Sequence, residues 1–510
     1  MTAPDIVLVV TDQHRADASR RAGFPLDTTP FLDALAADGV WFDRAYTTAP
    51  LCSPARTSLL TGRWPSSHRV TQNPARELAV FGTDLVGVAR DAGYATALVG
   101  KNHTYLTPDR VDAFVEYSHD GREPAATAGE EAAFDAWLGG LRHRTPADAA
   151  PFPVELQNPH RIVDDALAWA GEQTVDRPML LIVSFPEPHN PYQVPEPYFS
   201  MFPPETLPPT LAGPEVLDDL PFAYRYLHEI GEAAYPDYDA EVARARSSYY
   251  GMLRLIDDEV RRLVEGLAPR HAERPRIVVA TADHGDYTGD FGLVRKGAEI
   301  GDVLARIPLV VQGDDVQSAP EGAHPAHVSL ADLMPTFCEA IGAALPAGVQ
   351  GRSLWPLLTG GAYPVAEFES AYVEQGMGGL PYGPDDVPAS RPGLLDDAPD
   401  GSLRFDELNA VTQSGRRRKI RMGDWTLDVD VTGGHRLHHL PSDPLELVDR
   451  WDDPDPAAAD ARVALLARLA VWQMRAEDPL PVVPGGYPKK TDPRNYVAPE
   501  QAPKEDPHGG

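Results

Sequence analysis

Asp5-Ile6-Val7-Leu8-Val9-Val10-Thr11 is followed at once by Asp12-Gln13-His14-Arg15. An unbroken apolar run of strand length reads as a strand buried on both faces, the habit of a parallel sheet. The carboxylate that ends it stands where open α/β folds bind ligands, at the carboxyl edge of a central strand. Capping of the next turn is an equal use for Asp12 on these residues alone. Three more runs repeat the design: 94–100 ends at Lys101-Asn102-His103, 179–185 at Pro186-Glu187-Pro188-His189, and 276–282 at Asp283-His284-Gly285-Asp286.

Helical patterns separate these runs. Residues 28–38 carry a start signal at Thr28-Thr29-Pro30 and a stop at Gly39, and 84–92 and 163–170 have helical apolar spacing. Residues 239–266 place Tyr250, Leu253, Ile256, Val260 and Leu263 three or four apart, a face fit to cover a sheet. Strand, helix, strand alternation implies parallel pairing through right-handed crossovers, so all four polar endings fall along one sheet edge. A further strand is expected at 306–312 and a helix ending in glycine at 332–342. The fold class is therefore α/β, with a large, mostly parallel central sheet sandwiched by helices.

The second informative stretch is Leu51-Cys52-Ser53-Pro54-Ala55-Arg56, continued by Leu60-Thr61-Gly62-Arg63. Pro54 suits a first helical turn, where the amide it lacks has no partner anyway, and Ser53 can serve as the cap. A helix starting there aims free amides and a partial positive charge at Cys52, and Arg56 adds a permanent cation one turn on. Only three residues separate Cys52 from Arg56, which sets the stretch apart from the Cys-x5-Arg loop of thiol phosphatases.

These residues resemble the signature of the formylglycine-dependent sulfatases, in the alkaline phosphatase superfamily. The Asp12-Gln13 and Asp283-His284 pairs are similar to those of its choline sulfatase and phosphonate monoester hydrolase branch. The resemblance implies an alkaline phosphatase-like fold. It also implies that a formylglycine-generating enzyme converts Cys52 to 3-oxoalanine, whose hydrate attacks sulfur. A second hydroxyl then expels sulfate, a collapse closed to a serine ester.

Two acidic strand endings with His284 and Gln13 beside them suggest one hard divalent cation bound chiefly by oxygen. The matched ligands are Asp12, Gln13, Asp283, His284 and the modified Cys52; calcium is the expected ion and manganese the alternative. By charge and matched position, Arg56 holds the diol, Lys101 neutralises sulfate oxygens, and His103 is the base for expulsion. His189 and Lys296 meet the leaving oxygen, one of them as general acid, and Asn73 donates to a sulfate oxygen. The expected reaction is sulfate ester hydrolysis. A phosphonate monoester or phosphodiester hydrolase is the alternative, although Lys101 and His103 have the sulfatase form; an inactive anion-binding relative with an unmodified Cys52 is a third.

The chain has 510 residues, 43% hydrophobic and 24% charged, and a net charge of −31. That field argues against nucleic acid or an anionic membrane as partner and demands a local basic pocket for an anionic sulfate ester. With no basic leader, no apolar run of spanning length and only Cys52 and Cys338 as thiols, the expected location is cytoplasmic, without a disulfide. The expected domains are 1–361, catalytic, and 362–480, a smaller α+β unit with an antiparallel sheet and a lid-like loop at 376–401. An extended or disordered tail follows at 481–510, a place for homo-oligomer contacts. Arg416-Arg417-Arg418-Lys419 reads as a solvated strand end rather than a nucleic-acid patch.

Overall fold

In the computed structural model, β1 (Asp5–Thr11) lies between two parallel partners, β7 (Met179–Ser184) and β8 (Arg276–Ala282). β4 (Ala95–Gly100) pairs with β7, and β5 (Ala113–Ser118) with β4, both parallel. β9 (Leu309–Gly313) runs antiparallel to β8, and β2 (Val40–Trp41) and β6 (Gly121–Glu123) close the edges antiparallel to their neighbours. The spatial order is β2-β9-β8-β1-β7-β4-β5-β6. The described residues are 3–125, 127–318, 322–386, 405–481, 490 and 492–497.

The unbroken apolar run of β1 has a direct physical reason. Ile6, Leu8 and Val10 point to one core with Leu59, Leu60 and Met334, while Val7 and Val9 point to another with Ile162, Val163, Ile256 and Val260. Both faces are thus covered, and each such side chain contributes about 1.5–3 kcal/mol by leaving water. The Tyr238–Gly266 helix lies on one face beside the Asn158–Glu172 helix.

Register aligns the strand ends. Thr11 faces Ala282, and Ser184 faces both Val10 and Gly100, so Asp12, Asp283 and Lys101 leave the sheet side by side. Gly100 has φ +112, and a Cβ there would lie 1.9 Å from the Ser184 carbonyl oxygen. Only glycine allows this approach, and it is what starts the turn that carries Lys101.

The C-terminal unit is antiparallel, β11 (Ser370–Gly378), β12 (Gly415–Met422), β13 (Trp425–Asp430) and β14 (His435–His439), with the Pro456–Ala476 helix against it. Its core of Tyr372, Ile420, Leu427, Leu437, Leu465 and Trp472 includes Trp64 and Ala331 from the larger unit. Trp64 follows the Leu60-Thr61-Gly62-Arg63 tail, whose work is structural: Gly62 ends the Cys52–Thr61 helix with φ 64, and Arg63 reaches Asp478 at 2.5 Å. Residues 387–401 of the expected lid-like loop, and 482–489, 491 and 498–510 of the expected tail, lie outside the described residues.

Two expectations are corrected, and one element is added. Ser53 does not cap its helix; Leu51 is the N-cap, and the buried Ser53 Oγ has no hydrogen-bond partner. The 416–419 run is a solvated strand end only at Arg416, which is exposed; Lys419 is buried against Asp428 at 3.0 Å and Glu446 at 2.5 Å, and Arg417 reaches Glu299 at 2.7 Å. The edge hairpin of β5 and β6 went unread, since β5 is only half-buried and carries Glu116 within it.

Candidate active site

Cys52 opens a ten-residue helix in which every residue is buried. Its first amides have no intrahelical acceptor, and Ser53 N–H donates instead to Asn73 Oδ1 at 3.1 Å. Asn73 is thereby held at the start of the helix. The Cys52 thiol lies 3.4 Å from His284 Nε2, 3.8 Å from Asp12 Oδ1 and 3.8 Å from Lys101 Nζ. Burial and Asp12 push the thiol up, but Lys101, Lys296 and His284 outweigh them and leave its pKa lowered.

Asp12, Cys52, Asp283 and His284 each offer a ligand atom, and these atoms all lie within 4.8 Å of one another. His284 Nε2 is 3.8 Å from Asp12 Oδ1 and 3.6 Å from Asp283 Oδ1, too far for hydrogen bonds. Ligands about 2.1–2.5 Å from one ion stand roughly 3 to 5 Å apart, so the four fit around a single divalent cation. The Nδ1 of His284 lies 3.0 Å from the Gly285 carbonyl oxygen, which turns Nε2 toward the cluster. Gln13, in the left-handed region at φ 61, donates its backbone N–H to Asp283 Oδ1 at 3.1 Å and its Nε2 to Asp286 Oδ2 at 2.8 Å. That leaves Oε1, its one ligating atom, facing Lys296 Nζ.

Arg56 is committed to the carboxylates. Its Nε donates to Asp283 Oδ2 at 2.8 Å, Nη2 to Asp12 Oδ2 at 3.2 Å, and Nη1 to Ser184 Oγ at 2.6 Å. It therefore ties the two carboxylates of the cluster together. Lys101 Nζ also bonds Asp12 Oδ2 and lies 2.8 Å from His119 Nε2. Burial favours a protonated Asp12, yet Lys101, with Arg56 and His284, holds its carboxyl well below the usual range.

The other side of the pocket is imidazole-rich. His189 turns its Nδ1 to the Asn190 carbonyl at 2.7 Å and stacks on His119 with ring centroids 3.8 Å apart. Burial, then the neighbouring positive charges, hold His103, His119 and His189 well below the ordinary histidine pKa, so all three are neutral. His103 Nδ1 is buried without a hydrogen-bond partner among the described residues. Lys296 Nζ lies 3.7 Å from Glu407. Burial disfavours its ammonium, but Cys52, Glu407, Asp12 and Asp283 outweigh that and raise its pKa.

A model of the sulfatase family matches residues 4–343. The chain belongs to the sulfatase family. The choline-sulfatase of Rhizobium meliloti (strain 1021) is 26% identical over 504 residues, spanning 93% of this chain and 88% of the relative. The arylsulfatase of Clostridium perfringens is 26% identical over 391 residues, 70% of this chain and 78% of the relative. The phosphonate monoester hydrolase of Agrobacterium radiobacter superposes with a TM-score of 0.71 at 23% identity, covering 93% of this chain and 96% of that one. That likeness carries the fold, which is alkaline phosphatase-like. Membership supports sulfuric ester hydrolysis as the family-level activity. Among the described residues, no helix is long and apolar enough to cross a membrane.

The structure adds to this sulfatase-family pocket residues that the sequence did not single out. His119 sits in the turn between β5 and β6, and His143 packs against it with ring centroids 5.8 Å apart. Glu407 comes from the C-terminal unit and reaches Arg295 at 3.5 Å as well as Lys296. Asp286, bonded by Tyr192 at 2.6 Å, braces Gln13. Of these only Asp286 had a visible signal, since it closes the run Asp283-His284-Gly285-Asp286.

Proposed function

We propose that this chain hydrolyses sulfate esters at Cys52 after conversion of that residue to formylglycine, with a divalent cation, calcium in the first instance, held by Asp12, Asp283 and His284. The observation that carries this is the meeting of a thiol at a helix start with two carboxylates and an imidazole within 4.8 Å, and an ammonium 3.8 Å from the sulfur. When present, the cation and the aldehyde hydrate supply a nucleophilic oxygen near neutral pH. The chain's own residues do the rest. Arg56 fixes both carboxylates, and Lys101 and Asn73 receive the oxygens of the sulfate. Lys296 and His189 flank the leaving oxygen, and Lys296, the protonated one of the two, donates the proton. His103, neutral and with a free Nδ1, takes the proton released as sulfate departs.

Phosphonate monoester or phosphodiester hydrolysis is the second reading, favoured by Gln13, whose neutral amide lowers the negative charge of the ligand set. Parallel kcat/KM measurements on aryl sulfate, phosphonate monoester and phosphodiester, at one calcium concentration and then one manganese concentration, decide between them. The first reading expects the sulfate ester to lead; a leading phosphonate or phosphodiester would replace it with the second.

A further inference from the structure

A cavity of about 250 Å³ opens beside the catalytic helix, lined among others by Pro54, Arg69, Glu374, Gln375, Arg416 and Arg418. Its place in the fold ties it to the reaction centre from two sides. Pro54 is two residues beyond Cys52 in the same helix, and Gln375 donates its Nε2 to the carbonyl of Gly297, the residue after Lys296, at 3.4 Å. The cavity is thus walled by the helix that carries Cys52 and by a residue bonded to the loop that carries Lys296.

Its charge is the reverse of the molecule's. In a chain with 76 acidic and 45 basic residues, three guanidiniums share this wall with one carboxylate. That carboxylate is occupied: Glu374 accepts Ser66 N–H and Ser66 Oγ–H at 2.8 Å each, and Tyr372 O–H at 3.0 Å. Arg418 forms a long ion pair with it at 3.7 Å and donates Nη1 to the Arg417 carbonyl at 2.8 Å, and Arg69 forms a long ion pair with Asp478 at 3.7 Å. Arg416 is exposed and has no side-chain hydrogen bond or ion pair among the described residues. Guanidinium forks that are not hydrogen-bonded to a carboxylate match the planar or tetrahedral oxygens of carboxylate and sulfate.

Resting on the sulfate ester reading above, we propose that this cavity is a second anion subsite. The substrate is then a sulfate ester whose alcohol part carries a further anionic group, carboxylate or sulfate, taken by Arg416 and Arg418 while the scissile sulfate lies at Cys52. Arg69 completes the cationic wall.

The test uses the full chain and three esters: 4-nitrophenyl sulfate with one anionic group, a carboxylated aryl sulfate, and a disulfated disaccharide. At least one of the two dianions is expected to exceed nitrophenyl sulfate in kcat/KM by about ten-fold or more, the worth of one charge-assisted contact. Arg416→Glu and Arg418→Glu are expected to erase that preference through KM, and added salt to shrink it. A second arm measures calorimetric binding of the disulfated and the matched monosulfated disaccharide to Cys52→Ala and to Cys52→Ala with Arg416→Glu. Equal turnover of mono- and dianions, or a preference that survives both charge reversals, overturns the subsite. Absent turnover of every ester with binding preference intact would instead sink the hydrolase reading and leave the subsite standing; absent turnover with no binding preference sinks both.

Discussion

Replacing Arg56 by Met tests whether the carboxylates of the site are built to hold a cation. The guanidinium is buried and touches Asp283 at 2.8 Å and Asp12 at 3.2 Å, and neither carboxylate is exposed. Removing one partner of a buried pair leaves uncompensated charge, at a cost of about 3–5 kcal/mol. A divalent ion among the same oxygens replaces the lost positive charge, so that cost falls on the metal-free protein and calcium recovers much of it. Urea unfolding with chelator and with saturating calcium reads both states. The metal-free variant is expected to unfold at clearly lower urea than the metal-free parent, and calcium to raise its midpoint by more than it raises the parent's. A metal-free variant as stable as the parent, or a calcium shift no larger than the parent's, would refute the assignment of these carboxylates to a cation.

Cys52→Ala, a small change in a buried helix turn, should abolish sulfate ester turnover while circular dichroism stays that of the parent; turnover above the uncatalysed rate would remove residue 52 from the reaction. His119→Ala should lower kcat/KM about ten-fold by releasing Lys101, with His119→Gln restoring most of it because the amide oxygen can accept from Lys101 Nζ; equal losses in both variants would contradict the positioning role. Chelation should silence the enzyme and calcium or manganese should revive it, whereas full activity in excess chelator would exclude the metal. Stability should fall on acidification because His68 and His327 are held neutral: burial, then nearby arginines, push both down to about 3. Both bind fewer protons folded than unfolded between about pH 3 and 6.5, so their contribution is complete above 6.5 and drains away below, at about 1.4 kcal/mol per pH unit each. His68→Gln should therefore flatten the slope by that amount between pH 6 and 4.5 in urea titrations, and an unchanged slope would contradict the burial of a neutral ring.

The four apolar runs were legible because strands covered on both faces need no polar alternation, and their polar endings marked the sheet edge that carries Asp12, Lys101, His189 and Asp283. The Cys52 helix was legible from Pro54, although its cap was not, because the chain supplies Leu51 and Asn73 where local rules favour Ser53. His119 stayed hidden in a polar turn between two short edge strands, where periodicity is too brief to register. Glu407 stayed hidden for another reason: its 111-residue separation from Lys296 is bridged when the C-terminal unit packs against the larger one. Sequence spacing places residues along elements, and contacts between units depend on packing that no local pattern encodes.

The central claim concerns the chemical identity of residue 52. Trypsin should release the peptide from Ala45 to Arg56, and its mass in active protein should be about 18 Da below the value for cysteine, since formylglycine formation exchanges sulfur for oxygen and removes two hydrogens. The account predicts that the converted fraction and the sulfate ester turnover rise together across preparations with and without the converting enzyme. Full turnover from protein whose peptide keeps the cysteine mass would contradict it.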